Sequence, residues 1–170
     1  MKKLAPRKLF IDGTYGVAPD HLDIKDVDIY SDHFYAPRNI SKLKTEIGLV
    51  GAANKVMIAA EYDWRQAVPG PTLPEFLNVI LEQSRKPKPV IMGDHFWSLF
   101  GHNVPDCTTY VEHGDGFTLH YNRPSNPPNV TEAIITIRQH MYAMQGKKVG
   151  RELPPAQCPG GGGYGGYGRN

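Results

Sequence analysis

The sequence has few cysteines, little net charge and no long apolar run, and each shortage limits what the chain can be. Its two cysteines, Cys107 and Cys158, are far apart and outside any Cys-x-x-Cys pattern, which is typical of a reducing compartment rather than a disulfide scaffold. A net charge of +2 neither requires nor excludes a nucleic-acid partner. No apolar stretch approaches the roughly 18 residues of a membrane helix. We therefore expect a soluble, cytoplasmic protein with no membrane partner.

The composition is that of one globular domain followed by a low-complexity tail. Hydrophobic residues make up 40% of the chain and charged residues 21%, which is ordinary for a folded protein. We predict a basic arm and first strand over 1–15, a folded domain over 16–146 and a flexible tail over 147–170. The tail ends in GGGGYGGYGRN and lacks the apolar residues needed to pack a core.

The middle of the chain predicts a strand, a loop, a helix and a second strand. The apolar run KVMIAAEY over 55–62 predicts a central parallel strand that is covered on both faces. The next helix begins where Thr72 and Glu75 have the spacing of a capping box, and 88–92 predicts the second buried strand. Since ligands meet such sheets where a strand ends and a helix begins, we place a candidate site over 69–75.

The other elements are predicted from periodicity, caps and turn residues. We expect strands over 8–12 and near 27–30, a helix capped by Ser41, a short helix over 94–101, and a last helix with a capping box of Asn129 and Glu132. The stretches 108–112 and 117–121 predict either a hairpin or a strand with a tight loop. The apolar faces of the first and last helices are predicted to contain Leu43, Ile47 and Val50, and Val130, Ile134, Ile137, Met141 and Met144. Gly146 is expected to end the last helix.

Several segments resemble the LOG family, Rossmann-like nucleotide-binding proteins that are often labelled lysine decarboxylases. The stretch Pro69-Gly-Pro-Thr-Leu-Pro-Glu75 resembles the family signature PGGxGTxxE, and Gly16-Val-Ala-Pro resembles its G-V-I-P segment. Arg38 stands where the family has an arginine ahead of a helix, and Glu132-Ala-Ile resembles part of its last helix. The resemblance covers about 16–142. It implies an α/β fold, a Rossmann-like three-layer sandwich with a mainly parallel sheet that is incomplete relative to the family.

The resemblance also implies a function and a set of site residues. It assigns a nucleoside 5′-monophosphate N-glycosidase with Glu75 and Arg38 as catalytic residues, and with Pro69, Gly70 and Thr72 binding the phosphate. Because two signature glycines and the front part of the family fold are missing, we favour a degenerate nucleotide-binding scaffold that acts in a larger assembly or with a partner chain. The active hydrolase is the alternative. We expect no cofactor and no metal. We expect the chain to form a homodimer or a heteromeric assembly.

The residues themselves allow other interpretations. Glu75 and Thr72 equally fit a capping box without a catalytic role. His113, Asp115 and His120 are the closest approach to a metal cluster, but they lack a recognisable ligand spacing. The Gly/Tyr-rich tail fits RNA binding, since aromatic rings stack on bases and an arginine meets phosphate. It also fits a plain flexible extension, or a segment that orders only inside an assembly.

Overall fold

The computed structural model describes residues 2–35, 39–65, 72–104 and 107–155. In chain order, the elements are β1 (Ile11–Asp12), a short 3-10 helix (Pro19–Asp23), β2 (Ile29–Phe34), α1 (Asn39–Ala52), β3 (Val56–Tyr62), α2 (Leu73–Ser84), β4 (Ile91–Asp94), β5 (Leu99–Phe100), β6 (Leu119–His120) and α3 (Pro128–Met144). Within these residues, no helix combines the length and the apolar character that crossing a membrane requires.

The central sheet contains β1, β2, β3 and β4 in that order, and every neighbouring pair is parallel. The predicted α/β class with mainly parallel strands is confirmed, and β3 is a central strand. When strand order follows chain order, right-handed crossovers place the connecting helices on one face. In agreement, α2 contacts both α1 and α3. A Rossmann-like sandwich needs a reversal of strand order to cover both faces, and β1 to β4 have no such reversal.

The core lies between this sheet and its layer of helices. Tyr30 and Phe34 of β2 and Met57 and Tyr62 of β3 are at most 1% exposed, and burying each large apolar side chain stabilises the fold by about 1.5–3 kcal/mol. The helices contribute apolar residues to this core. Those of α1 and α3 include predicted ones, namely Leu43, Ile47, Val50, Ile134 and Ile137, and α2 adds Phe76 and Ile80.

The opposite face of the sheet is only partly covered by the described residues. Ile11 of β1 is 50% exposed and Met92 of β4 is 56% exposed, while Ile58 of β3 is half-buried. Burial along β3 alternates instead of being continuous. Within the described part of the chain, the prediction that 55–62 is covered on both faces is therefore wrong.

Two local predictions fail between β4 and α3. The stretch 94–101 contains β5 instead of a helix, and 108–112 and 117–121 do not form a hairpin, because β6 pairs in parallel with β5. A distant contact helps to fix this part of the chain. The buried Asp94 carboxylate lies 2.9 Å from His140 Nε2, on α3. Such a contact has no signature in the local residue pattern.

The last helix is the predicted one, but it begins differently. Its N-cap is Pro127, and no side chain caps it. Glu132 instead pairs with Arg151, and the Tyr121 hydroxyl donates a hydrogen bond of 3.0 Å to the Pro154 carbonyl. These contacts hold the first residues of the predicted tail against the domain, and the Gly/Tyr-rich remainder lies outside the described residues.

Candidate active site

The carboxyl ends of β2 and β3 bring together the side chains of His33, Tyr35 and Glu61. His33 and Glu61 are register partners in the parallel pair, and His33 Nδ1 lies 3.4 Å from Glu61 Oε2. The Tyr35 hydroxyl donates a short hydrogen bond to Glu61 Oε1. Because side chains alternate along a strand, the spacing His-x-Tyr places both partners on the same face. The Glu61 carboxylate is thus held by two groups from the neighbouring strand.

A β-bulge in β3 turns Glu61 towards these partners. The register of the β2–β3 pair shifts just before His33, which leaves Ala60 as an extra residue. Without this extra residue, the regular alternation of side chains along β3 would point Glu61 into the core and Tyr62 away from the core. With it, Tyr62 is 0% exposed, whereas 24% of the Glu61 side chain is exposed. Bulges re-aim side chains in this way beside active sites.

The Tyr35 hydroxyl remains a donor over the physiological pH range. Burial, and then its hydrogen bond to Glu61, raises the pKa of Tyr35 well above its ordinary value. Because the phenol keeps its proton, the Glu61 oxygen that it contacts is an acceptor. This arrangement suits a carboxylate that attacks or stabilises a positive centre better than one that delivers a proton.

An aromatic wall lies beside Tyr35. Phe117 packs edge-on against Tyr35 with 5.1 Å between ring centroids, and the Arg65 guanidinium lies 3.7 Å from the centroid of Phe117. The indole N–H of Trp64 donates a hydrogen bond to the Phe117 carbonyl. Residues that follow β3 therefore hold Phe117 close to the ends of the strands.

Trp97 presents a partly exposed ring at the same edge of the sheet. Its backbone forms an isolated β-bridge with Asp63, two residues beyond Glu61. Trp97 is 39% exposed. Its indole N–H donates to the Asp115 carboxylate. Desolvation acts to raise the pKa of Asp115, but hydrogen bonds from the Phe117 N–H, the Trp97 indole and His113 hold it at about 2. Asp115 is thus ionised at neutral pH and anchors the Trp97 ring.

A buried polar network lies behind His33 and joins β2 to α1. Asp32 is 0% exposed; its Oδ1 accepts the Gly16 N–H at 2.8 Å, and its Oδ2 pairs with Lys42. Lys42 also donates to the His33 carbonyl at 2.8 Å. Burial, and then the hydrogen bond with Asp32, raises the pKa of Glu46 to about 8. Glu46 therefore carries a proton at neutral pH, and the network fixes the backbone that holds His33.

Of the site residues assigned from the family resemblance, the structure describes Thr72 and Glu75. Glu75 Oε2 accepts hydrogen bonds from the Thr72 N–H at 2.7 Å and from its hydroxyl at 2.8 Å. The Thr72 hydroxyl in turn accepts the Glu75 N–H, so the capping-box interpretation is confirmed. Glu75 is exposed, and these bonds lower its pKa. Arg38, Pro69 and Gly70 lie outside the described residues.

The histidines considered for a metal do not converge. His113 Nδ1 lies 3.1 Å from Asp115 Oδ2, whereas His120 Nε2 lies 2.8 Å from the Val111 carbonyl oxygen. Among the residues that the structure describes, no three His, Cys, Asp or Glu side chains are arranged to hold a metal ion.

The sequence does not single out Glu61, because this residue lies within an apolar run, 55–62, that is predicted to be a buried strand. Two signals point to it in retrospect. A carboxylate near the carboxyl end of a parallel strand lies where ligands meet such sheets, and the preceding strand carries a histidine and a tyrosine on one face. The bulge that turns the carboxylate outward has no signal in the local pattern.

Comparison with known proteins gives solved structures only, since no family model and no curated protein matches the sequence. An endo-β-1,4-mannanase from Thermotoga petrophila matches 82% of this chain and 37% of its own, with 16% identity and a TM-score of 0.54. A glycoside hydrolase family 5 mannosidase from Rhizomucor miehei, in mutant form, matches 85% of this chain and 46% of its own, with 14% identity and a TM-score of 0.52. The chain thus spans less than half the length of these enzymes and shares the fold of that part.

These similarities contradict the LOG-like interpretation. The matched structures are glycosidases that the comparison describes as mannanases and mannosidases, and their fold is not a Rossmann-like nucleotide-binding fold. The predictions of a degenerate nucleotide-binding scaffold and of an N-glycosidase for nucleoside monophosphates are therefore wrong. The roles assigned to Glu75 and Arg38 depended on the resemblance and lose its support. Assembly with a partner and RNA binding through the tail stay predictions.

Proposed function

We propose that the chain is one half of a (β/α)₈-barrel glycosidase that hydrolyses β-mannosidic bonds, with Glu61 as its nucleophile. Four consecutive parallel strands with helices on one side are the repeating pattern of such barrels. The match to less than half of the Thermotoga petrophila mannanase and of the Rhizomucor miehei mannosidase supports this interpretation. Active sites in these barrels lie at the carboxyl ends of the strands, which is where β2 and β3 hold His33, Tyr35 and Glu61.

The position of Glu61 is the observation that carries the proposal. Retaining glycosidases use a carboxylate that attacks the sugar and forms a covalent intermediate. Glu61 is accessible, it accepts a hydrogen bond from Tyr35, and a bulge directs it away from the core. His33 on the other side restricts its rotation. A fixed, accessible carboxylate is what this step needs.

The same mechanism requires a second carboxyl group that protonates the leaving oxygen. In retaining enzymes the two carboxyl groups are about 5–5.5 Å apart. Asp63 is not suited to this role, since it is buried and its Oδ1 already pairs with Arg65 at 3.2 Å. We assign the acid to the other half of the barrel, which also covers the open face of the sheet around Ile58.

The aromatic residues fit a carbohydrate substrate. Sugar rings have apolar faces that pack on aromatic rings, and the partly exposed Trp97 lies at the edge of the sheet near the carboxyl end of β3. Phe117, held by Arg65, extends this surface beside Tyr35. The pairing of an aromatic surface with an acceptor carboxylate favours a glycoside over a nucleotide phosphate, for which a basic site is expected.

A reagent whose leaving group needs no protonation tests the proposal on this chain alone, because the step then does not require the general acid. The purified chain is incubated with 2-deoxy-2-fluoro-β-D-mannosyl fluoride, whose fluoride leaves without protonation and whose sugar hydrolyses slowly from the enzyme. The proposal predicts an intact mass increased by one fluorinated sugar, and a slower reaction with the corresponding glucosyl fluoride. Glu61→Gln should abolish the adduct, whereas Glu75→Gln should retain it. Absence of any adduct on the unmodified chain contradicts the proposal.

A further inference from the structure

Two asparagines stand in the pattern Asn-x-Ser/Thr, and the structure separates them by exposure. Asn39-Ile-Ser is at the start of α1, and Asn129-Val-Thr is in the first turn of α3. This tripeptide is the acceptor for N-linked glycans when the middle residue is not proline. A glycan is bulky and strongly solvated, so a folded protein carries it only on an exposed asparagine.

The buried asparagine cannot carry a glycan in the folded chain. Asn39 is 5% exposed, and its Oδ1 accepts the backbone N–H of Ile40 at 2.9 Å. A glycan on its side-chain nitrogen would have to displace the packing around the start of α1. Asn129, in contrast, is exposed, and so are its neighbours Pro127 and Pro128.

The state of a cysteine points to an oxidising compartment, and the secretory pathway, where N-glycosylation takes place, is one of these. Cys107 is disulfide-bonded, and no free cysteine occurs among the described residues. Disulfides persist in the secretory pathway and outside the cell, and are rare in the cytosol. This bond favours an oxidising compartment over the cytoplasmic location expected from the sequence.

We propose that Asn129 is an N-glycosylation site of this protein and that Asn39 is not. Asn129 lines a cavity of about 570 Å³ beside the first turns of α2 and α3, together with Trp64, Leu73 and Ala133. A glycan on Asn129 would extend from the edge of this cavity. The proposal is independent of the glycosidase assignment, because it depends only on exposure and compartment.

Expression through a yeast secretory pathway tests the site. The full 170-residue chain is directed by a host leader peptide, and both the secreted and the cell-associated protein are analysed with and without peptide N-glycosidase F. Peptide mass spectrometry then locates the asparagine that the enzyme converts to aspartate. Because the secreted and the cell-associated protein are both analysed, a glycan is detected even on a variant that the cells do not secrete.

Four variants separate the two sites. Asn129→Gln and Thr131→Ala should lose the mobility shift, whereas Thr131→Ser and Asn39→Gln should retain it, since serine still completes the acceptor pattern. The unmodified chain should carry one glycan, on Asn129. An unmodified Asn129 in both fractions, or a glycan on Asn39 of the secreted protein, overturns the proposal.

Discussion

His33 and Glu61 lie opposite each other at the carboxyl ends of β2 and β3, with 3.4 Å between His33 Nδ1 and Glu61 Oε2. They meet because Ala60 is an extra residue in β3. This extra residue exchanges the two faces on which the following side chains lie, so that Glu61 lies on the same face as His33. One residue in one strand thus converts a core position into a site position. The chemistry that we propose depends on this local irregularity.

The first prediction concerns the hydroxyl that holds the nucleophile. Tyr35→Phe should leave the fold intact and slow the formation of the fluoromannosyl adduct by tenfold or more. A hydrogen bond to a charged group contributes about 1.5–3 kcal/mol, and about 1.4 kcal/mol corresponds to a factor of ten. The rate is followed by intact mass spectrometry. An unchanged rate would show that this hydroxyl does not act on Glu61.

The second prediction concerns the pH dependence of stability. The pKa of Glu46 is raised to about 8 in the folded chain from an ordinary value near 4.5. Its contribution to stability is therefore complete below pH 4.5 and is lost as the pH rises towards 8. Between pH 5 and pH 8, the free energy of unfolding should fall more in the unmodified chain than in Glu46→Gln, by an amount on the order of a few kcal/mol.

Urea titrations of both proteins at the two pH values give this difference directly. Asp32 does not contribute to it, because its pKa is lowered and its own effect appears only in acid, below pH 3.8. Parallel pH profiles for the unmodified chain and Glu46→Gln would contradict a protonated Glu46.

The third prediction separates the helix cap from the chemistry. Thr72→Ala should lower the free energy of unfolding by about 1 kcal/mol, because it removes the N-cap acceptor of α2. Glu75→Ala should destabilise in the same direction, and Glu75→Gln less, since glutamine also completes a capping box. None of these changes should alter the rate of labelling under conditions where the chain is folded. A selective loss of labelling in Glu75→Ala would return a catalytic role to that residue.

The fourth prediction concerns the buried contact between β4 and α3. The Asp94 carboxylate lies 2.9 Å from His140 Nε2 and accepts a hydrogen bond of 3.2 Å from the Tyr62 hydroxyl. His140→Ala leaves a buried carboxylate without this hydrogen-bond partner and should lower the free energy of unfolding by about 1.5–3 kcal/mol. Tyr62→Phe removes only one hydrogen bond and should cost about 1 kcal/mol. No loss of stability in His140→Ala would show that Asp94 does not depend on His140.

The sequence predicts those elements whose signals are local. The periodicity of Leu43, Ile47 and Val50 predicts the buried face of α1, and the spacing of Thr72 and Glu75 predicts the start of α2. These signals work because the forces that form a helix act between residues three or four apart.

The parts that the sequence does not predict depend on distant contacts. The segment after β4 is held by contacts such as Asp94 to His140, which join residues 46 positions apart. The orientation of Glu61 depends on how β2 and β3 align, which a residue pattern within β3 does not contain. The family resemblance failed for a related reason: short motifs such as a capping box recur in unrelated folds because they solve the same local problem.

Locating the sugar on the labelled chain tests the central claim most directly. The chain is treated with 2-deoxy-2-fluoro-β-D-mannosyl fluoride and digested with a protease, and the modified residue is identified by tandem mass spectrometry. We predict a fluoromannosyl ester on Glu61 that is absent from Glu61→Gln. An ester on any other carboxylate, or none on the unmodified chain, would contradict the assignment of Glu61 as the nucleophile of a glycosidase.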